Sequence, residues 1–317
     1  MNILFLGGTG FFGISFLKFL EFSYRGEINS LTIVGRNISK LKDSYHLKEL
    51  DFKINFIKVD ILGKLDSLKN KNYTHIIHAA ADSTKIDNLN SSQRYDQIVG
   101  GTKNVLDLLK NEYPFAKLIY ISSGAVYGEM PERISEFTEE SYKAENFLET
   151  DSTYAQSKRL AEGLCLDYYK NYGLKISIAR CFAFSGEDLP KSVHFAIGNF
   201  AKNIIESKPI TIKGDGRSVR SYLDQTDLAE WLMIILKKDK FDLSIYNIGS
   251  ERSISIFDLA VLIKKISNKN IDIKVENSRD KIYKKTIYVP SILKIKSVLK
   301  VKEKVTLEES IKKMISA

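Results

Sequence analysis

The sequence predicts an α/β fold: a doubly wound parallel sheet followed by a smaller mixed α/β C-terminal lobe. Three observations carry that expectation. From residue 1 to about 180, short apolar runs alternate with stretches that repeat at helical spacing, the pattern of a parallel sheet with right-handed crossovers. The first run, Asn2-Ile3-Leu4-Phe5-Leu6, passes directly into a glycine turn and then into a helical repeat. After Arg180 the alternation loosens into shorter pieces. The expected division is 1–180 for the sheet domain and 181–317 for the lobe, with segments near 220–250 returning to the first domain.

In order, the strands are expected at 2–6, 31–34, 54–59, 75–79, 117–122 and 175–180, each an apolar run short enough for a strand buried on both faces. Helices are expected near 11–22, 38–50, 64–70, 94–112 and 152–172. In the lobe, 194–207, 224–237, 257–267 and 307–315 read as helices, 210–212, 244–248 and 271–275 as strands, and Gly214-Asp215-Gly216 as a turn.

The bulk numbers narrow the class. With 317 residues, 44% of them apolar, the chain can build a large core, and its 18 glycines and five prolines show no low-complexity bias. No run of 18 apolar residues occurs, so no membrane span is expected. The chain opens on its first strand, which leaves no room for a secretory leader. Its two cysteines, Cys165 and Cys181, suit a reduced compartment without disulfides or a metal site, so the expectation is cytoplasmic. The net charge of +9 comes from lysines scattered over 264–304 without interleaved aromatics, which argues against nucleic acid and leaves a small anionic partner.

The stretch Gly7-Gly8-Thr9-Gly10-Phe11-Phe12-Gly13 lies between the first strand and the repeat Ile14, Phe16, Leu17, Phe19, Leu20. Strand, glycine turn, helix is the setting of a dinucleotide-binding loop in a Rossmann-type sheet. Gly7 allows the tight turn, Gly10 lets the backbone approach a pyrophosphate, and Gly13 lets the helix pack closely on the sheet. The helix start at Phe11 and Phe12 supplies N–H groups and partial positive charge to the phosphates. The second strand ends at Gly35-Arg36, where an NAD site carries an acid for the adenosine ribose. A guanidinium there suits a 2′-phosphate instead, so NADP(H) is favoured and NAD(H) is the alternative.

Tyr154-Ala155-Gln156-Ser157-Lys158 puts a phenol and an ammonium four apart, on one face of a helix. A lysine beside a tyrosine lowers the phenol toward working pH, which suits proton transfer to or from a carbonyl oxygen.

The glycine spacing, Thr9, and the Tyr154/Lys158 pair resemble the extended short-chain dehydrogenase/reductases that act on nucleotide sugars, the NAD(P)-dependent nucleotide-sugar epimerase/dehydratase/reductase family. The resemblance runs over nearly the whole chain, and its implications extend the site. In Ser122-Ser123-Gly124-Ala125-Val126-Tyr127-Gly128 it makes Ser123 the hydroxyl that holds the substrate oxygen beside Tyr154. It places Asp60 and Ile61 at the adenine, although Asp60 also reads as a helix N-cap. It places Ala79, Ala80 and Ala81 along the pyrophosphate and nicotinamide ribose, and Phe182 at the cofactor. His78 reads as a core residue. Ile98 stands where the family carries an Asn. By the same resemblance His194, Arg220 and Arg279 face the substrate, the two arginines on its diphosphate, whereas Asp227 reads as structural. Gly124-Ala125 replace the Asp-Glu of the 4,6-dehydratase branch, and Ala125 replaces a Cys of one epimerising branch.

The implied function is an NAD(P)-dependent nucleotide-sugar oxidoreductase, with NADPH-dependent reduction of a nucleotide-linked keto-sugar leading. A C4-type epimerase with tightly bound NAD(P) is the alternative, and a catalytically silent dinucleotide sensor is third. The expected catalytic set is Ser123, Tyr154 and Lys158, with no metal. The implied assembly is a homodimer formed by the helices at 90–110 and 153–172.

Overall fold

The opening apolar run forms β1 (Asn2–Leu6), with Ile3, Leu4, Phe5 and Leu6 all buried inside a seven-stranded sheet. The structure is a computed structural model that describes residues 1–24, 26–39, 41, 50–81, 89–128, 135–141, 152–191, 195–276 and 285–316. After β1 come α1 (Phe11–Phe22), β2 (Ser30–Gly35), β3 (Lys53–Lys58), β4 (His75–His78), α2 (Ser91–Tyr95) and α3 (Gly101–Glu112). They are followed by β5 (Lys117–Ser123), α4 (Thr153–Tyr172), β6 (Lys175–Cys181), β7 (Phe184–Ser185), α5 (Ala196–Ile205) and β8 (Ile210–Lys213). Next are β9 (Val219–Ser221), β10 (Leu223–Asp224), α6 (Gln225–Leu236), β11 (Ser244–Ile248) and β12 (Ser253–Ser255). The chain closes with α7 (Ile256–Ser267), β13 (Ile273–Glu276), β14 (Ile287–Tyr288), α8 (Leu293–Leu299) and α9 (Leu307–Ser316).

The sheet order is β3-β2-β1-β4-β5-β6-β11. The pairings among β1 to β6 are all parallel. The order reverses between β1 and β4, which is where an open parallel sheet binds its ligands. The expected doubly wound α/β class is the one that forms. Its core lies between the sheet and α3 and α4, where Leu4, Ile76, Leu109, Leu118, Cys165 and Ile176 are fully buried. The edge strand β3 carries exposed lysines at both ends, Lys53 and Lys58, and its other residues are only partly buried.

The chain divides into two compact units. The first is Met1–Val126, Ala144–Cys181 and Ala229–Tyr246. The second is Tyr127–Lys143, Phe182–Leu228 and Asn247–Ala317. The second unit holds the small sheets β12-β9-β14, β13-β8 and β10-β7. Within it the Asn247 amide accepts from the Tyr127 hydroxyl at 2.6 Å and donates to the carbonyls of Phe137 and Ser291. Asp227 accepts the backbone N–H groups of Lys304 and Val305 at 2.9 and 3.1 Å, the structural role expected for it.

Several elements differ from the sequence reading. The stretch near 64–70 forms only the 3-10 turn Asp66–Leu68, because Lys69 is extended and Asn70 takes a positive φ. The helix expected from 94 begins earlier, at α2, where Asn90 and Gln93 form a capping box. It then widens into a π-helical turn, Asp96–Gly100, before α3. A Cβ on Gly101 would sit 2.4 Å from the Ile61 side-chain tip, so a larger residue there would require Ile61 to shift. The helix expected at 38–50 falls mostly outside the described residues. The two- and three-residue strands of the second unit are too short to show a period. Among the described residues no helix is long and apolar enough to cross a membrane.

Candidate active site

The glycine turn is strapped to the end of β2. The N–H groups of Gly7 and Gly8 both donate to the Val34 carbonyl, at 2.9 and 3.1 Å. Gly7 has φ +81°, and a Cβ there would lie 2.6 Å from the Ala79 carbonyl carbon. On Gly13 a Cβ would lie 2.0 Å from the Gly8 oxygen. Both positions therefore require glycine for the protein's own packing. Gly10 differs: a Cβ would meet only the Gly7 oxygen, at an ordinary 3.6 Å. Gly10 is exposed, and it caps the 12-residue α1 without any side-chain hydrogen bond. An open approach to the positive end of a helix, at a glycine the fold does not need, fits a dinucleotide pyrophosphate. Phe11 and Phe12 form the first turn, their rings 5.9 Å apart and partly buried.

Around the turn, Ala79 donates its N–H to Leu6 at 2.9 Å and Ala81 to Ala79 at 2.9 Å, so Ala79–Ala81 lie against Gly7 and are partly exposed. His78 is buried. Its Nδ1 accepts from the Ala80 N–H at 3.4 Å, which leaves Nε2–H to donate to Thr102 Oγ1 at 3.1 Å. Burial depresses its pKa to about 3, so it is a neutral packing residue, as the sequence suggests. Asp60 is exposed, and its carboxylate accepts the Leu62 N–H at 3.0 Å, making an Asx turn rather than a helix cap. Ile61 is buried in the core, and Ile98, in place of the family's Asn, is buried there too. Arg36 is exposed directly after Gly35.

The structure brings Ser123, Tyr154 and Lys158 together. Ser123 ends β5, and its Oγ accepts the Ala125 N–H at 3.2 Å. Tyr154 and Lys158 face it from the first two turns of α4. A buried charge cluster fixes this helix on the sheet. Ser122 and Arg180 are register partners on β5 and β6. Both bind Glu162 of α4, Ser122 Oγ at 2.6 Å and Arg180 through a short ion pair of 2.7 Å. Arg159 Nε donates to the Val126 carbonyl and ties the turn after Ser123 to the same helix.

The electrostatics depart from the sequence reading. Lys158 is buried, and its Nζ donates to the Ile121 carbonyl at 2.7 Å, 5.0 Å from the Tyr120 ring centre and 6.0 Å from that of Tyr154. Burial lowers its pKa to about 8 against the pull of Glu162. Tyr154 is not lowered by Lys158. Desolvation pushes it up to about 12, with a hydrogen bond to Ser123 and the charge of Arg94 acting the other way. Tyr154 is thus a neutral phenol near pH 7. Burial also raises the thiols of Cys165 and Cys181, which are free.

Phe182 and Arg220 belong to the second unit. The Phe182 ring is 4.7 Å from Tyr288 within an aromatic cluster that includes Tyr127 and Phe137. Arg220 donates to the carbonyls of Val219 and Thr286 and to Thr286 Oγ1, at 2.8, 3.2 and 3.0 Å. His194 and Arg279 lie outside the described residues. The sequence reading missed Arg94. It is buried, lies 6.0 Å from the Tyr154 ring centre, and is positioned by the capped helix α2, whose Ser91 accepts from Thr153 at 3.0 Å. No local signal marks it, because its partner is 60 positions away.

A family model described as the NAD dependent epimerase/dehydratase family matches residues 3–249. The chain is 31% identical over 279 residues to dTDP-D-glucose 4,6-dehydratase of Dictyostelium discoideum, a match covering 84% of this chain and 62% of that protein, less than two thirds of its length. Among solved structures, dTDP-glucose 4,6-dehydratase of Bacillus anthracis in complex with NAD is 27% identical, with a TM-score of 0.82 over 100% of this chain and 96% of the other. UDP-glucuronic acid 4-epimerase of Bacillus cereus, in complex with UDP-glucuronic acid and NAD, shares the fold at 23% identity, with a TM-score of 0.83 and coverage of 100% and 98%.

Proposed function

The chain belongs to the NAD-dependent epimerase/dehydratase family, and from that premise we propose that it is an NAD(P)-dependent oxidoreductase of nucleotide-linked sugars that reduces a keto-sugar with NADPH. The observation that carries this reading is the convergence of Ser123, at the end of β5, with Tyr154 and Lys158 of α4, where burial favours the neutral Tyr154 phenol. Ser123 and Tyr154 bind the substrate carbonyl oxygen, and the Tyr154 proton passes to that oxygen as the carbon becomes a carbinol. Lys158, cationic below its pKa of about 8, stabilises the phenolate left behind. A bound nicotinamide supplies the hydride. Gly10 and the start of α1 hold the pyrophosphate, and the exposed Arg36 favours the 2′-phosphate of NADP(H).

Dehydration, the reaction named for two of the relatives, is not proposed. Gly124 and Ala125 provide no carboxylates after Ser123 for an elimination. A C4-type epimerase is the second reading, favoured by the shared fold of the UDP-glucuronic acid 4-epimerase. The same three residues can take the proton from a carbinol oxygen and return it to that oxygen, while the carbon's hydride goes to a bound nicotinamide and comes back on the other face. Arg220, Arg279 and His194 are proposed for the sugar nucleotide. The exposed Tyr95, Leu160 and Tyr172 on the α2 and α4 helices are proposed to bury against a second copy, and sedimentation at a monomer mass would remove that dimer.

The test is native mass spectrometry of the freshly purified protein, followed by NADPH and NADH oxidation with a panel of nucleotide-linked keto-sugars. Empty protein that consumes NADPH in proportion to carbinol formed supports the reductase. Dinucleotide that survives purification, with no net consumption and interconversion of C4 epimers, supports the second reading instead.

A further inference from the structure

We propose that Thr9 decides which dinucleotide this chain accepts, by filling the space that any side chain on residue 35 would need. The inference rests on the dinucleotide reading of the glycine turn and deepens it. An acid at the end of β2 grips the adenosine ribose in an NAD site. Here that position is Gly35, and nothing in its own backbone calls for glycine, since its φ is not positive. The requirement comes from across the turn.

A Cβ on residue 35 would lie 2.5 Å from Thr9 Oγ1, 2.6 Å from Thr9 Cγ2 and 3.1 Å from Thr9 Cβ. Rotating Thr9 does not clear the space. Both branches of the side chain already crowd it, and a turn about χ1 exchanges one for the other. Neither backbone can retreat. The glycine turn is held by the two hydrogen bonds of Gly7 and Gly8 to Val34, the residue before Gly35. Gly35 is buried, pairs with Lys58 in the sheet, and accepts the Val59 N–H at 3.3 Å. Thr9 and Gly35 are therefore one coupled pair. While Thr9 is present, any side chain at 35 is strained, and recognition of the ribose edge passes to the next residue, the exposed Arg36. A guanidinium cannot accept the ribose hydroxyl protons as a carboxylate does, but it forms a charge-assisted fork with a 2′-phosphate. Removing the threonine methyl and hydroxyl leaves the residue 9 Cβ, at 3.1 Å, a contact that a shift of a few tenths of an ångström relieves.

The experiment uses the full chain as wild type, Thr9→Ala, Gly35→Ala, Gly35→Asp and the double variant Thr9→Ala/Gly35→Asp. Thermal midpoints report the steric pair, and fluorescence titrations with NADPH and NADH report the selection. Gly35→Ala and Gly35→Asp are expected to lower the midpoint by roughly 5 °C, as overpacking does. Thr9→Ala in the double variant should return most of that loss. The wild type should favour NADPH by roughly tenfold or more, the worth of one charge-assisted contact. The double variant should favour NADH by a similar factor. Should Gly35→Asp alone keep the wild-type midpoint and turn to NADH, Thr9 is no gate and the proposal falls. Additive midpoints in the double variant would overturn it as well. A wild type that prefers NADH would count against the cofactor choice proposed for this site, while non-additive midpoints would still uphold the Thr9–Gly35 coupling.

Discussion

The glycine turn and the catalytic face of α4 lie in the same unit and are built on opposite terms. In the turn, function rests on backbone: N–H groups, a helix end, and the absence of Cβ atoms at Gly7, Gly10 and Gly13. On α4 it rests on side chains, whose protonation is set by what surrounds them: Tyr154 is raised to about 12 and Lys158 lowered to about 8 by burial. The difference is one of separability. Two of the three glycines are needed by the fold itself, so the turn cannot be damaged there without damaging the protein. The α4 groups can be neutralised one at a time while the core beneath them stays packed.

The largest effect expected from this contrast is at Gly13. Gly13→Val would drive a side chain into the Gly8 carbonyl, which a Cβ already meets at 2.0 Å. The variant should lose the cooperative thermal transition of the wild type, and a normal melt would show that the turn is not over-determined. Tyr154→Phe should give the opposite result. Turnover should fall by about 10²- to 10⁴-fold, the usual worth of a positioned proton donor, with an unchanged melting temperature and dinucleotide affinity. Retained turnover would sink the mechanism.

His78 joins the two regions. It precedes the alanines that touch Gly7, and its ring lies 5.5 Å from Tyr120, the residue beneath Lys158. Its pKa is about 3 in the folded chain and about 6.5 unfolded. Below pH 6.5 the unfolded chain binds the proton and the folded one does not. Stability contributed by neutral His78 is therefore complete above about 6.5 and is lost as the pH falls toward 3. Between pH 6.5 and 4.5 the loss should be about 2–3 kcal/mol. Urea melts at those two pH values measure it, and the drop should shrink in His78→Gln. An equal drop in both proteins would assign the acid sensitivity elsewhere. The smallest effect sharpens the comparison most. Gly10→Ala meets only an ordinary contact in the protein, so its melting temperature should match wild type while dinucleotide affinity falls roughly tenfold. Unchanged affinity would mean that no pyrophosphate lies against Gly10.

The parts of the site that could be read from the sequence were local. The glycine spacing next to an apolar run, and the four-residue step from Tyr154 to Lys158, each sit inside one element, where the period of a strand or helix fixes the geometry. The sheet was legible for the same reason. What could not be read depends on which distant residues meet. Thr9 faces Gly35 because β1 and β2 pair, and Arg94 faces Tyr154 because the helices α2 and α4 pack together. The direction of the Tyr154 shift is not legible in the sequence, because desolvation belongs to the packed state and outweighs the charge nearby in sequence.

The lysines that bound β3 carry a consequence for solubility. An edge strand presents unpaired N–H and C=O groups to any other strand that passes, and its central residues here are Ile54-Asn55-Phe56-Ile57, a sequence with strong tendency to pair. A second molecule aligning along this edge would bring Lys53 and Lys58 against its own lysines or force them from water. The two charges act as gatekeepers, closing the sheet to further growth.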